Sequence, residues 1–218
     1  RGKKVRTIKR PSSDTDFVRK LFSFYGKEEL FENIDWIDCD IFDTLSLIEA
    51  MNGTEHVYHC AALVSFSGKN SKKISETNVF GTSNIVNAAI EAGIIKICHV
   101  SSIAVLGKDQ VISENTMWNA GEKHSAYAES KYFAEQQIWR GVAEGIDAVI
   151  VRPSVIIGPW KQSSGVGILF DRINKGLKYY THGSTAYVDV RDTAAIMVNL
   201  MDSPVKNDSL IVSAENLG

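Results

Sequence analysis

Short, almost wholly apolar runs alternate along this chain with longer stretches whose apolar residues recur at helical spacing. The short runs cover 5–9, 35–39, 56–61, 95–100, 147–151 and 210–212, and β-branched residues are frequent in them. Apolar runs without polar alternation predict strands covered on both faces, as in a parallel sheet. Periodicity predicts helices over 16–25, 43–51, 74–92, 126–144, 166–175 and 191–201, the last entered from an extended 187–190. Local punctuation agrees with these limits. Asp43 or Thr44 and Ser125 are helix caps, Asn52-Gly53, Gly93 and Gly145 stop helices, and Pro153 breaks the strand that begins at Asp147. The alternation of strands and helices predicts an α/β fold, a parallel sheet with helices on both faces and right-handed crossovers.

Composition narrows the partners. The 218 residues suffice for one large domain with its own core. A net charge of -2 argues against nucleic acid and against an anionic membrane surface as partners. The basic run Lys69-Asn70-Ser71-Lys72-Lys73 is short and reads as a solvated loop or helix start. No stretch of about 18 apolar residues is present for a membrane-spanning helix. Cys39, Cys60 and Cys98 lie in or beside strands, without Cys-x-x-Cys or Cys/His ligand spacing. They are expected to be buried free thiols in a reducing cytoplasm, and the scattered histidines give no metal site.

The chemistry is carried by Tyr127-Ala-Glu-Ser-Lys131, on a predicted helix downstream of a strand that ends in Ser101-Ser102. Residues i and i+4 share a helix face, so phenol and ammonium are neighbours. A nearby cation favours the phenolate and is expected to lower the Tyr127 pKa from about 10 toward the range of a proton-transfer catalyst. A serine hydroxyl close by holds a substrate oxygen. Together these groups suit oxidation of an alcohol or reduction of a carbonyl.

A doubly wound dinucleotide-binding fold of the Rossmann type opens with a strand, a Gly-rich turn and a helix. Here the first strand leads into Arg10-Pro11-Ser12-Ser13 instead. If it is the second strand of that fold, the central one is missing and two edges are exposed. The expectation is that roughly 20–30 residues, one βα unit, precede Arg1.

Several motifs occur in the order and at the spacings of one family: Asp40-Ile41-Phe42-Asp43, His59-Cys60-Ala61-Ala62, Asn78-Val79-Phe80-Gly81-Thr82, Val100 to Gly107, Tyr127 with Lys131, and Arg152-Pro153-Ser154 through Gly158-Pro159. From Val5 to Val212 the chain resembles the extended short-chain dehydrogenases/reductases of the NAD(P)-dependent epimerase/dehydratase type. The resemblance implies a dinucleotide-binding domain over 1–153, lacking its first strand and Gly-rich turn. It also implies a mixed region over 154–218 that adds the last sheet strands and a small C-terminal substrate lobe. It makes Tyr127 the acid/base, with Lys131 lowering its pKa and binding the nicotinamide ribose. Ser102, rather than the adjacent Ser101, holds the reacting oxygen, and Asn78 belongs to the same catalytic set. Asp40 and Ile41 fall where the family holds adenine, Ala61 and Ala62 beside pyrophosphate and ribose, and Pro153 beside nicotinamide. Lys9-Arg10 at the strand end favours the 2′-phosphate of NADP over NAD.

The family's dehydratases carry Thr-Asp-Glu where this chain has Ser102-Ile103-Ala104, so sugar dehydration is not expected. Arg10-Pro11-Ser12 and Tyr187 to Asp192 resemble the dihydroflavonol-reductase-like branch. Trp118 and Trp160-Lys161-Gln162 are either pocket walls or surface packing. Alcohol–carbonyl oxidoreduction is the leading reading, nucleotide-sugar epimerisation on the same fold the alternative, and a non-catalytic dinucleotide-binding protein the lesser one. A homodimer is expected through the helices 78–92 and 126–144, with Ile85, Phe133 and Ile138 at the interface or in the domain's own core.

Overall fold

Parallel strand pairing sets the frame. The structure, a computed structural model, describes residues 3–65, 70–107, 111–159, 167–176 and 183–217, without the side chain of Leu169. Lys69, the Trp160-Lys161-Gln162 loop and the expected helix start at 166 fall outside those residues. The strands are β1 (Val5–Lys9), β2 (Ile34–Asp38), β3 (His56–His59), β4 (Lys96–Val100), β5 (Asp147–Pro153), β6 (Val155–Ile157), β7 (Thr185–Asp189), β8 (Asp208–Val212) and β9 (Glu215–Leu217). The α-helices are α1 (Asp16–Phe24), α2 (Glu28–Glu32), α3 (Thr44–Met51), α4 (Ser71–Ser75), α5 (Gly81–Glu91), α6 (Ala126–Ala143), α7 (Gly167–Asn174) and α8 (Val190–Asp202).

β1 and β2 pair in parallel, and β3-β4-β5-β8 form a second, wholly parallel sheet in that order. β6-β7-β9 form a third sheet, in which β7 and β9 are antiparallel. Among the described residues the two parallel sheets share no ladder. The short helix α2 and the strands β6 and β9 have no counterpart in the hydropathy pattern, because each is too brief to establish a period.

The apolar strands are explained by two cores. Ile97, Ala148 and Ile150 pack with Leu47, Ile85, Val86, Ala89 and Ile138, in the layer of α3, α5 and α6. Their neighbours in sequence, Cys98, Val149 and Val151, point the other way, into a cluster with Val188, Met197, Met201 and Val212. Alternate residues of β4 and β5 therefore enter opposite cores, so no position is left for a polar side. Each fully buried Val or Ile contributes about 1.5–3 kcal/mol. Ile85 and Ile138 are core residues, 3% and 1% exposed, while Phe133 faces outward at 52%. Cys39 and Cys98 are buried, but Cys60 is exposed, contrary to expectation. The reason is that β3 ends at His59, which puts Cys60 beyond the ladder.

The single helix expected over 74–92 is divided. A π-helical turn, Glu76–Phe80, separates α4 from α5. Such turns change the helical phase, and here the residue carried inward is Asn78, 1% exposed.

The buried Lys96 closes α8. Its ammonium donates to the carbonyls of Leu200 at 2.7 Å and Ser203 at 3.1 Å, at the negative end of that helix. Lys96→Met leaves both carbonyls without this donor. Urea unfolding is expected to show a loss of about 2–3 kcal/mol; an unchanged midpoint would mean the cap carries no stability.

Candidate functional site

Every residue singled out for chemistry falls at the carboxyl end of a parallel strand or on a helix beside it. Arg10 follows β1, Asp40 and Ile41 follow β2, Ala61 and Ala62 follow β3, Ser101 and Ser102 follow β4, and Pro153 ends β5. The two sheets present these ends on one side. The Ile41 carbonyl accepts from Asn84 Nδ2 at 3.0 Å, and the Ile41 side chain lies where a Cβ on Gly81 would come within 2.5 Å. Thr82, the next residue, meets His59 at the end of β3. Open α/β sheets bind ligands outside the carboxyl ends of their strands.

Lys131 is 2% exposed. It lies on α6, whose N-terminus is capped by Ser125 Oγ accepting from Ala128 N at 3.1 Å. Its ammonium donates to the Val100 carbonyl at 2.8 Å and lies 3.4 Å from His99 Nε2. Burial pushes its pKa down to about 8, opposed by the Glu135 carboxylate one turn further along. Glu135, also 2% exposed, is held bidentately by Arg152 of β5, at 3.0 and 2.8 Å. This pair ties α6 to the strand that ends at Pro153.

Tyr127 sits one turn before Lys131, half-buried, with the Ser102 hydroxyl in hydrogen-bonding reach of its phenol. Ser102 Oγ itself accepts from Ala104 N at 3.2 Å, so its proton is free to face the phenol. Of the adjacent serines only Ser102 has this contact. Ser101 Oγ is buried with no partner among the described residues. The electrostatics differ from expectation. Burial raises the Tyr127 pKa above 10.0, and the opposing influence comes from Ser102, not from Lys131. The i,i+4 spacing places the two side chains on one face, but the ammonium is drawn down to Val100 and His99.

Asn78 is a clamp between loop and helix. Its Oδ1 accepts from Leu63 N at 2.7 Å, and its Nδ2 donates to Leu63 O at 3.0 Å and to Ser130 Oγ at 2.9 Å. Ser130 in turn donates to the Tyr127 carbonyl at 2.8 Å. Asn78 thus fixes the segment after Ala61-Ala62 against the turn that carries Tyr127. Sequence reasoning placed it in the catalytic set without this geometry, and it missed the Arg152–Glu135 pair and the two strand histidines.

The remaining positions lie along the strand ends. Ala61 and Ala62 are exposed and put no bulk there. Asp40 is exposed, with Oδ1 accepting from Phe42 N at 2.9 Å. Arg10 is exposed and has no side-chain partner among the described residues, whereas Lys9 is paired with Asp38. Trp118 stacks on His124, with centroids 3.6 Å apart, and on Tyr132, at 4.5 Å, which fixes the loop leading into α6.

Comparison with known proteins gives the family and the fold. The chain belongs to the NAD-dependent epimerase/dehydratase family, whose model matches residues 1–212. It is 33% identical over 199 residues to a putative dihydroflavonol 4-reductase of Synechocystis, covering 89% of this chain and 54% of that protein. It is 28% identical over 222 residues to sterol demethylase protein B of Methylococcus capsulatus, covering 99% and 64%. Cinnamoyl-CoA reductase 1 of Petunia hybrida is 30% identical over 186 residues, covering 79% and 55%. The chain thus spans between about half and two thirds of the length of these relatives. Among solved structures, gox2253 superposes with a TM-score of 0.85 at 27% identity, covering 99% of this chain and 64% of that one. The UDP-glucose 4-epimerase of Thermotoga maritima, at 0.78 and 20% identity over 99% and 71%, shares the fold.

His59 and His99 are buried and neutral. Burial lowers the His59 pKa to about 3 and that of His99 well below its ordinary value, with Lys131 adding to both shifts. A depressed histidine pKa contributes stability that is full above about 6.5 and is lost as pH falls toward the folded-state value. Unfolding free energy is therefore expected to drop as pH falls below about 6.5. His59→Gln, which keeps a donor toward Thr82, should flatten that slope; an identical slope would contradict the burial argument.

Proposed function

We propose that this member of the NAD-dependent epimerase/dehydratase family is an oxidoreductase interconverting an alcohol and a carbonyl on a small-molecule substrate, with NADP preferred over NAD. The observation that carries the reading is the Ser102–Tyr127 contact beside a buried ammonium, at the carboxyl ends of parallel strands. The reductases among the relatives at 30–33% identity support the same reaction class.

In the reducing direction, Ser102 holds the carbonyl oxygen and Tyr127 delivers the proton to it. The raised phenol pKa suits the acid role, because the proton is retained until the oxygen becomes basic. The phenolate left on Tyr127, one turn from Lys131, returns to neutrality by taking a proton from solvent. Asn78, through Ser130, keeps the Tyr127 turn in place during this exchange. When bound, the nicotinamide supplies or takes the hydride. Lys131 would hold its ribose, Pro153 its ring, Ala61 and Ala62 the pyrophosphate, Asp40 and Ile41 the adenine. The unpaired Arg10 would hold a 2′-phosphate. The absence of an acidic pair at Ile103-Ala104 argues against dehydration. Homodimer formation through α5 and α6, where Phe133 is exposed, and a cytoplasmic location belong to the same reading.

Tyr127→Phe is expected to lower turnover by about 10²–10⁴-fold while dinucleotide affinity stays near wild type. Titration of both dinucleotides in the same variant should show tighter binding of NADP than of NAD. Retained turnover would overturn the acid/base role, and equal affinities would overturn the cofactor preference.

A further inference from the structure

Behind Lys131 lies a buried polar pair that the reaction as described does not use. His59 of β3 and His99 of β4 are cross-strand partners, 3% and 0% exposed, with ring centroids 4.9 Å apart. A buried pair of imidazoles is costly unless its hydrogen bonds are met.

Those bonds can be assigned by counting protons. The Thr82 hydroxyl donates its single proton to the Asn78 carbonyl at 2.6 Å. His59 Nε2, 2.8 Å from Thr82 Oγ1, must therefore be the donor in that contact. His59 is thus held as the neutral Nε2–H tautomer by Thr82 of α5, whose hydroxyl is tied to the π-helical turn at Asn78. His99 Nε2 faces the Lys131 ammonium at 3.4 Å, and an ammonium has only donors. His99 Nε2 must be the acceptor, which places the His99 proton on Nδ1, an atom with no partner among the described residues.

We propose that His99 is a positioning residue for Lys131. Its unprotonated Nε2 and the Val100 carbonyl together take two N–H bonds of the ammonium, and His59, anchored through Thr82, holds the His99 ring in place. This inference rests on the oxidoreductase reading for its purpose, since it fixes the ammonium that would hold the nicotinamide ribose. Its geometry stands without that reading.

The titratable groups around Lys131 leave this role to His99. Glu135, from the same helix, is engaged by Arg152 of β5. Tyr127, one turn earlier, meets Ser102. Cys60, just past β3, acts on the ammonium through its charge alone when ionised. His59 points to Thr82. An acceptor on the charged form favours that form, so loss of His99 Nε2 lowers the Lys131 pKa and removes the ammonium at lower pH.

The test is NMR on the protein labelled at histidine and lysine, and it requires no turnover. Imidazole ¹⁵N shifts are expected to report His99 as the neutral Nδ1–H tautomer from about pH 5 to 9. The Nε2–H tautomer, or protonation within that range, would overturn the proposal. His99→Leu is expected to move the Lys131 ε-amine midpoint down by about one pH unit, and His99→Gln, whose carboxamide oxygen accepts, to restore it. An unchanged midpoint in folded His99→Leu would reduce His99 to core packing. If that variant does not fold, the tautomer of the unaltered protein decides. Failure of the oxidoreductase reading is read separately, as unaffected turnover in Tyr127→Phe.

Discussion

One buried ammonium organises the candidate site. Lys131 is 2% exposed, and a cation so placed is expensive unless its donors are met. The Val100 carbonyl and His99 meet two of them, and the Glu135 carboxylate offsets part of the desolvation. The surroundings follow from that need. Glu135 must itself be neutralised, which Arg152 does from β5. The adjacent histidines must stay neutral, which burial ensures. The cost is visible in a lysine pKa lowered to about 8, so a group that titrates far above neutrality in water lies close to the working range of an acid/base catalyst.

The fold supplies the position. Parallel strands align their carboxyl ends, and the loops leaving those ends carry Arg10, Asp40, Ala61, Ser102 and Pro153. The π-helical turn at Glu76–Phe80 joins this edge to the α6 helix, because Asn78 bonds both Leu63 and Ser130. Gly81 allows the Ile41 side chain to lie against the start of α5, where a Cβ would displace that side chain.

Much of this was legible in the sequence. Apolar runs located most strands to within two residues, most plainly β4 and β5, whose alternate residues enter two cores. The phenol and ammonium were legible because i,i+4 spacing is a property of the helix alone. The direction of the Tyr127 shift was not, since burial of the phenol raises it, and that burial is set by tertiary packing. His59 and His99 are far apart in sequence and become neighbours only through the β3–β4 register. Cys60 was misjudged because a strand end is set by its ladder, not by hydropathy. The π turn was invisible because it leaves the apolar pattern of 74–92 nearly intact.

The central claim is that the strand ends, Lys131 and Tyr127 form one dinucleotide and substrate site. A crystal structure of the protein soaked with NADP tests it most directly. The account predicts the nicotinamide ribose hydroxyls within hydrogen-bonding distance of Lys131 Nζ and the ring between Pro153 and the Tyr127–Ser102 pair. Density for the dinucleotide at the amino ends of β4 and β5, or anywhere that leaves Lys131 and Tyr127 untouched, would contradict it.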